Sequence, residues 1–245
     1  MILVLWGAAM HALEAIRSLV TSTPTPFELI IVENASPEAS GALVRATTSG
    51  ARFIANPHNL GFGPAVNQAA RLARSHVLVF INPDLTFEPG WLQPLLDTLE
   101  ADPCVAMVSA LLRNSDGSIQ DAGRTVDASG FTHADADAMQ SITTAPTRPV
   151  TVQYASGACV AVRADDFARV GGFDEQFVPA YFEDVDLCLR LGTGNRYICV
   201  DPRSSVVHIG GVSTAQRSRQ EMFDRNRRRF TAKWQAELAR LPAAR

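Results

Sequence analysis

The sequence predicts an α/β fold in which a mostly parallel sheet is covered by helices on both faces. Short apolar runs recur along the first half of the chain, amphipathic stretches with helical spacing separate them, and polar clusters follow several of the runs. Continuous apolar strands indicate burial on both faces, as in parallel sheets whose strands are connected through helices. We therefore expect repeated strand–helix–strand units.

The elements of the first half follow one another regularly. The predicted strands are Ile2–Leu5, residues 28–32, Arg52–Ala55, residues 76–81 and residues 105–110. The predicted helices are residues 11–20, 38–47, 64–74 and 91–100. Pro64 opens one helix and Pro89 precedes another, where the fixed φ of proline suits a first turn.

The second half is less regular. Between residues 113 and 149 the periodicity fades into small and polar residues, with a turn at residues 114–117, so we expect a variable, partly mobile segment. The further strands are expected at residues 156–162, 197–200 and 205–208, and the further helices at residues 164–170, Glu183–Leu191 and 220–241. No linker separates two parts, so we expect one domain over residues 1–245.

Composition excludes several classes of protein. The 245 residues are 47% hydrophobic and 19% charged, close to the globular average, which excludes disorder, collagen and coiled coil as the main architecture. No apolar run reaches the ~18 residues of a membrane span. The net charge of −3 argues against nucleic acid as a partner. Four cysteines without C-x-x-C spacing predict buried thiols in a reducing cytoplasm.

The two ends of the chain each allow two interpretations. The apolar start could be a signal peptide, but it lacks a basic region and also fits a buried strand, which we prefer. Residues 216–245 hold nine Arg and Lys against three Asp and Glu. This basic helix could lie on the inner face of the cell membrane, or it could pack its aromatic residues Phe223, Phe230 and Trp234 on the domain.

Two polar clusters follow predicted strands, at the edge where open α/β sheets bind ligands. Glu33, after the second strand, can accept hydrogen bonds from a nucleobase or a ribose, although Asn34 and Ser36 could simply cap the next helix. Asp84, in Asn82-Pro83-Asp84, can bind a divalent cation together with diphosphate oxygens, although this tripeptide is also an ordinary turn.

A third cluster, Glu183, Asp184 and Asp186, begins a predicted helix. The helix dipole offsets their repulsion by roughly 0.3–1 kcal/mol each. Carboxylates placed there could serve a cation, a sugar hydroxyl or a general base. Glu183 and Asp186 share one face, so Asp184 is free for a separate task, and a merely solvated acidic cap is the alternative. His208 ends an apolar run, and a metal role for its imidazole would indicate that Mn²⁺ is tolerated.

Taken in order, these residues resemble the family 2 glycosyltransferases of GT-A fold, in particular the rhamnosyltransferase-like branch. The resemblance extends from about residue 28 to residue 235. It is carried by IVENAS at 31–36, NLGFG at 59–63 with Asn67, FINPD at 80–84, DGSIQ at 116–120, SGA at 156–158, GGFDEQF at 171–177, YFEDVDL at 181–187 and RFTAKW at 229–234.

The resemblance implies an inverting transfer of a sugar, with L-rhamnose the first candidate, from a dTDP- or UDP-linked donor to a hydroxyl of a cell-envelope or polysaccharide acceptor, free or lipid-linked. It implies Asp184 as base with Glu183 beside it, and Mn²⁺ or Mg²⁺ held by Asp84 and His208. The implied donor-binding residues are Glu33, Asn59, Gly61, Asn82, Asp84, Ser156 and Gly157, and the implied acceptor-binding residues are Phe173, Asp174 and Asp186. Residues 1–110 would bind the nucleotide sugar, residues 111–215 the acceptor, and residues 216–245 would form the basic helix.

Departures from the family pattern keep other functions open. The first strand ends in Trp6-Gly7-Ala8-Ala9 instead of the family's Thr-Tyr-Asn type of turn, Glu33 replaces the usual Asp, and Asp84 is one carboxylate where a pair is usual. A degenerate GT-A module that binds nucleotide or glycan without turnover is therefore the alternative. A nucleotidyltransferase is less supported, because its triphosphate loop would need Lys or Arg near Trp6.

Overall fold

The computed structural model describes residues 1–37, 39–210 and 216–241, which contain twelve strands, nine α-helices and a 3-10 helix at Glu175–Phe177. The strands are β1 Ile2–Leu5, β2 Ile30–Glu33, β3 Arg52–Ala55, β4 Val77–Ile81, β5 Leu85–Phe87, β6 Val105–Arg113, β7 Ile119–Asp121, β8 Arg124–Val126, β9 Thr132–Ala134, β10 Val150–Val152, β11 Cys159–Arg163 and β12 Tyr197–His208. The helices are α1 Ala9–Ser22, α2 Ser40–Thr47, α3 Phe62–Ala70, α4 Gln93–Ala101, α5 Ala136–Thr144, α6 Ala164–Arg169, α7 Glu183–Leu191, α8 Gln216–Lys233 and α9 Gln235–Leu238.

The central sheet has the strand order β10-β12-β6-β11-β4-β1-β2-β3. Six of these eight strands run in one direction, and β10 and β11 run against them. The order reverses at β1, which lies between β4 and β2, and such a switch point leaves a crevice at the carboxyl ends of the strands. The predicted mostly parallel α/β sheet is confirmed.

The apolar strands are buried on both faces, as their composition predicts. In β1, Ile2 and Val4 pack into the cluster on one face, and Leu3 and Leu5 pack into the cluster on the other. Because alternate side chains of a strand point to opposite faces, only a strand covered by helices on both sides can be this uniformly apolar.

The predicted boundaries of strands and helices agree best with the observed ones where the sequence pattern is strongest. β1, β3 and α7 have the predicted bounds, whereas α1 extends two residues further at each end. The strands expected at 197–200 and 205–208 form one strand, because β12 keeps its pairing with β6 across an irregularity between Asp201 and Ser205. Glu38, where α2 was expected to begin, lies outside the described residues.

Two features of the second half differ from expectation. Residues 113–149, expected to be variable and partly mobile, hold β7, β8, β9 and α5, and β7 pairs with β6 in the main sheet. These strands are three residues long, too short to show an alternating pattern in the sequence. β11 lies antiparallel between β4 and β6, with Cys159 opposite Ile81, so the residues before β11 lie at the carboxyl end of β4.

Helix α8 packs its aromatic residues inward. Phe230 is fully buried, its ring centroid lies 5.2 Å from that of Phe182, and Phe223 and Trp234 pack against the same cluster. These rings therefore pack on the domain, and peripheral membrane contact through α8 stays a prediction. No helix in the described ranges is long and apolar enough to cross a membrane. Two stretches lie outside the described residues: residues 211–215, at the end of the expected acceptor-binding part (111–215), and residues 242–245, at the end of the expected basic segment (216–245).

Candidate active site

A cavity of about 720 Å³ opens at the carboxyl ends of β1, β2 and β4, beside the switch point of the sheet. Asn82, Asp84, Ser156, Gly157, Glu183, Asp184 and His208 line it together with Asn59, Asn34, Trp6 and Arg219. The sheet brings these residues together from opposite ends of the chain. The resemblance assigned most of them to the site, and their meeting in one cavity is the geometry that this assignment requires.

A second cavity, of about 340 Å³, adjoins the first. Ser156, Tyr181, Asp184 and His208 line both cavities, so Asp184 lies at their junction. The rest of the wall comes mainly from the segment without sequence periodicity and from α7 and α8, and includes Gln120, Asp121, Arg124, Thr132, Tyr154, Phe182, Val185 and Phe223. One carboxylate therefore has access to two compartments.

Asp84 and His208 form the cation-binding candidate. Register between β5 and β12 sets His208 opposite Leu85, so the side chain of Asp84 lies beside the ring. Asp84 is 5% exposed, its Oδ1 lies 3.3 Å from His208 Nε2, and its Oδ2 accepts a hydrogen bond of 3.0 Å from the Gly210 amide. Burial opposes ionisation, but these contacts outweigh burial and hold the pKa of Asp84 below its ordinary value.

The spacing of this pair fits a divalent cation. Two ligands about 2.1 Å from one octahedral ion lie about 3 Å apart, close to the observed separation of Oδ1 and Nε2. Within the described ranges no group of three or more His, Cys, Asp or Glu could hold a metal ion. Asp84 and His208 therefore offer a partial site that needs oxygen ligands from water or substrate.

Glu183 and Asp184 are adjacent carboxyl groups in different surroundings. Glu183 is buried and its Oε2 has no hydrogen-bond partner, so burial first and the charge of Asp184 second raise its pKa well above the ordinary value. Burial also raises the pKa of Asp184, but the Val185 amide donates to Oδ1 at 2.8 Å and the Gly157 amide to Oδ2 at 3.4 Å. The surroundings favour a neutral Glu183 beside an ionised Asp184.

The loop before Asp184 has an unfavourable backbone conformation that helix α8 stabilises. Tyr181 and Phe182 have φ values of 75° and 70°, a left-handed conformation that costs a residue with a side chain roughly 1–2 kcal/mol. Fully buried Asn226 donates to the carbonyl oxygens of Ala180 and Tyr181 at 2.8 and 3.1 Å. The C-terminal helix thereby fixes the start of α7 and the direction of Asp184.

The buried carboxyl of Glu183 predicts a pH-dependent effect on stability. A raised folded-state pKa means that the stabilising contribution of neutral Glu183 is present at low pH and is lost as pH rises through that pKa. Glu183→Gln cannot ionise, so we expect its melting temperature relative to wild type to increase as pH rises above about 4.3, the ordinary pKa of Glu, and to level off once pH exceeds the folded-state pKa of Glu183. Glu88→Gln, at an exposed position, is the control. A difference that stays constant or falls with pH would contradict the buried neutral carboxyl.

A network of amides orders the loop beside the cavity. Asn34 is buried, its Nδ2 donates to Asn59 Oδ1 and to the Gly61 carbonyl, and its Oδ1 accepts from Asn56 and from the Leu60 amide. Asn34 therefore fixes the path of residues 56–61, and Asn59, which was predicted to bind the donor, lines the cavity.

Two predicted donor contacts lie outside the cavity wall. Glu33 Oε1 accepts from the Ser36 amide at 2.5 Å, and its side chain packs so closely on Gly41 that a Cβ there would lie 2.2 Å from Glu33 Cγ. The carboxylate closes the turn before α2. Asn34 and Ser36 do not cap that helix, because Asn34 bonds to residues 56–61 and the Ser36 hydroxyl donates to the Leu5 carbonyl. Gly61 has a φ of 90°, and its Cα packs against Val178 and Pro179 instead of lining the cavity.

The three residues predicted to bind the acceptor make contacts within the protein in this structure, and acceptor binding by them stays a prediction. Phe173 is 2% exposed and packs in the aromatic core. Asp174 accepts from the Gln176 amide at 3.0 Å and pairs with Lys233 at 2.7 Å. Asp186 is fully buried, with Arg190, Lys233 and Trp234 as its partners. None of the three lies in the wall of either cavity.

Several cavity residues have no clear signal in the sequence. Trp6 stands where the family's turn is altered, and it presents an aromatic ring to the larger cavity. Arg219 on α8 is a cation in the same wall, and only the basic composition of that helix pointed to it. In the smaller cavity, Arg124 pairs with Asp121 at 2.5 Å near Tyr154.

Comparisons with known proteins agree with this fold. The model of glycosyl transferase family 2 matches residues 11–171. An N-acetylglucosaminyl-diphospho-decaprenol L-rhamnosyltransferase of Mycobacterium tuberculosis is 28% identical over 240 residues, covering 87% of this chain and 76% of that protein.

Two solved structures share the fold. GalNAc-T7 with UDP, GalNAc and Mn²⁺ superposes with a TM-score of 0.70 at 16% identity, over 85% of this chain and 43% of that one. The mannosyltransferase PcManGT from Pyrobaculum calidifontis, in complex with GDP-Man and Mn²⁺, gives 0.68 at 17% identity, over 99% of this chain and 64% of that one. The chain thus spans less than half of the first protein and somewhat under two thirds of the second.

The fold is that of the GT-A glycosyltransferases. The chain belongs to glycosyl transferase family 2, because the family model covers well over half of its length. The family and the fold expected from the sequence are both confirmed.

Proposed function

We propose that this protein transfers a sugar from a nucleoside diphosphate to an acceptor hydroxyl with inversion at the anomeric carbon. The observation that carries the proposal is the position of Asp184 at the junction of two cavities, the larger of which also contains the Asp84–His208 pair. A donor in one compartment and an acceptor in the other would meet at this carboxylate. The reaction then needs a single displacement and no covalent intermediate on the protein.

The larger cavity has the groups that a nucleoside diphosphate requires. Trp6 can stack on the nucleobase, an interaction worth ~1–3 kcal/mol that tolerates different bases. Asn34 orders the loop with Asn59, and Arg219 brings a positive charge for the diphosphate. Ser156 and Gly157 lie beside Asp184, in position to contact the donor sugar.

Asp84 and His208 are the residues that would hold a divalent cation. When bound there, the cation supplies Lewis-acid stabilisation of the charge on the leaving diphosphate. A carboxylate combined with a neutral imidazole suits Mn²⁺ better than Mg²⁺, which prefers oxygen ligands.

Asp184 is the proposed general base. Amides from Val185 and Gly157 orient its carboxylate, and its ionised form can accept the acceptor's proton as the hydroxyl attacks. Glu183 lines only the larger cavity, and in its neutral form can donate a hydrogen bond to the donor sugar. The smaller cavity is the proposed acceptor compartment, because its ion pair, hydroxyl groups and aromatic rings suit a sugar.

The similarity to the mycobacterial rhamnosyltransferase supports L-rhamnose as the sugar and a glycan on a lipid diphosphate as the acceptor. Transfer would then take place in the cytoplasm, at or near the inner face of the cell membrane, and belong to the synthesis of envelope polysaccharide. The donor is the part of this proposal that can be tested first.

Calorimetric titration with dTDP-L-rhamnose, UDP-sugars and GDP-sugars, each with Mn²⁺, Mg²⁺ or EDTA, tests the donor. We expect one nucleotide class to bind, with dTDP-L-rhamnose the first candidate, and to bind at least about tenfold more tightly with Mn²⁺ than with EDTA. If no nucleotide sugar binds under any condition, the proposal fails and a domain without turnover becomes the better account.

A further inference from the structure

We infer that Gln120 is a positioning residue which fixes the tautomer of His208 and so leaves Nε2 free for a divalent cation beside Asp84. The inference rests on the proposed function, since it concerns the cation that the proposed reaction uses. It assigns a role to the DGSIQ segment, which the sequence resemblance includes but to which it gives no function.

The local sequence explains the place of Gln120. Asp116 accepts from the Ser118 amide and Gly117 has a φ of 85°, so residues 114–118 form a tight turn. Strand β7 follows at once and pairs with β6, with Ile119 opposite Arg113. The side chain of Gln120 thereby reaches the end of β12, where His208 lies.

The orientation of the Gln120 amide is determined by its own donors. Its Nε2 donates to the His208 carbonyl at 2.8 Å and to Asn114 Oδ1 at 3.0 Å, and both of these oxygens can only accept. Its Oε1 must therefore point at His208 Nδ1, which lies 2.6 Å away. An amide oxygen cannot donate, so Nδ1 carries the proton.

This tautomer determines what Nε2 can do. With the proton on Nδ1, the Nε2 of a neutral ring has a lone pair, and it faces Asp84 Oδ1 at 3.3 Å. Two acceptors at this distance repel each other unless a proton or a metal cation lies between them, so a divalent cation would take the place of the proton through which His208 lowers the pKa of Asp84. Without an acceptor at Nδ1, the proton would move to Nε2 and bond to Asp84, and the ring nitrogen would be lost as a ligand.

The first test reads the tautomer directly, without metal. The full chain is labelled with ¹⁵N-histidine and its NMR spectrum is recorded in EDTA at about pH 9, where histidine is ordinarily neutral. The His208 signals are assigned by their absence from the spectrum of His208→Gln. We expect them to show a protonated Nδ1 and an unprotonated Nε2. Gln120→Met, similar in length but apolar, should move the proton to Nε2. Gln120→Glu keeps an acceptor at Nδ1 and should keep the wild-type pattern.

The second test measures Mn²⁺ binding by electron paramagnetic resonance of free Mn²⁺, with and without UDP. Removal of such an outer partner typically costs 10–100-fold in metal affinity, so we expect a loss of this size in Gln120→Met. The Mn²⁺ affinity of Gln120→Glu should stay within about threefold of wild type. Gln93→Leu, on the exposed side of α4, controls for loss of an amide elsewhere.

The outcomes separate the two proposals. An unchanged tautomer or unchanged Mn²⁺ affinity in Gln120→Met overturns the role of Gln120 while the proposed transferase stands. A loss of affinity of equal size in Gln120→Glu also overturns it, because the acceptor at Nδ1 is then not what matters. If the wild-type protein binds no Mn²⁺ even with UDP, there is no cation site at Asp84 and His208. The role of Gln120 and the metal-assisted part of the proposed transfer then both fail.

Discussion

Asp184→Asn is expected to abolish almost all sugar transfer while the donor still binds. Asparagine keeps the shape of the side chain and can still accept from the Val185 amide, but it cannot take a proton from the attacking hydroxyl. Loss of a general base typically costs 10²–10⁴-fold, so kcat should fall by about that factor. Donor affinity, measured by calorimetry under the same conditions, should stay within about twofold.

Asp165→Asn is the matched control for this substitution. Asp165 is an exposed aspartate on α6 and lies in neither cavity wall, so the same chemical change there should leave kcat unaltered. If Asp184→Asn retains more than about a tenth of the wild-type rate, Asp184 is not the base. If the variant loses donor binding as well, the carboxylate serves the donor and not the acceptor.

Asp84→Asn is expected to remove the dependence of donor binding on metal. The amide oxygen can still accept from Gly210, so the local structure should survive, but the charge that attracts a cation is lost. Outer partners of a metal typically contribute 10–100-fold to affinity, and a direct ligand should contribute at least about 100-fold. We expect calorimetry with Mn²⁺ and with EDTA to give nearly equal, weak donor binding in this variant.

Asp97→Asn, at an exposed position on α4, serves as the control for Asp84→Asn and should keep the full difference between Mn²⁺ and EDTA. Donor binding by Asp84→Asn that still improves strongly with Mn²⁺ would mean that the cation binds elsewhere. The Asp84–His208 pair would then be a structural salt bridge.

The parts of the site that the sequence predicts are those set by strong, local patterns. Asp84 directly follows the apolar strand β4, and the carboxyl edge of a parallel sheet places such a residue at the ligand crevice. Asp184 begins a helix with clear amphipathic spacing, so its place at the N-terminus of α7 follows from the sequence. Their meeting in one cavity was expected only from the family resemblance, because it depends on strand order.

The contacts that the sequence does not reveal join residues far apart in the chain. Asp174 and Asp186 were assigned to the acceptor, but Lys233, more than forty residues later, pairs with both, and no local pattern reveals that partner. Glu33 illustrates a different difficulty, since a carboxylate after a strand can serve a ligand or close a turn, and the sequence does not show that Glu33 accepts from the Ser36 amide. Tyr154 and Arg124 escaped notice because the strands around them are too short to show periodicity.

The stereochemistry of transfer tests the central claim most directly. The full chain would be incubated with Mn²⁺, the nucleotide sugar that binds in calorimetry and an N-acetylglucosaminyl-diphospho-polyprenol acceptor, and the new anomeric centre followed by ¹H NMR. We expect a glycoside of anomeric configuration opposite to that of the donor, formed by wild type and not by Asp184→Asn. Retention of configuration, or an equal yield from Asp184→Asn, would contradict a single displacement assisted by Asp184.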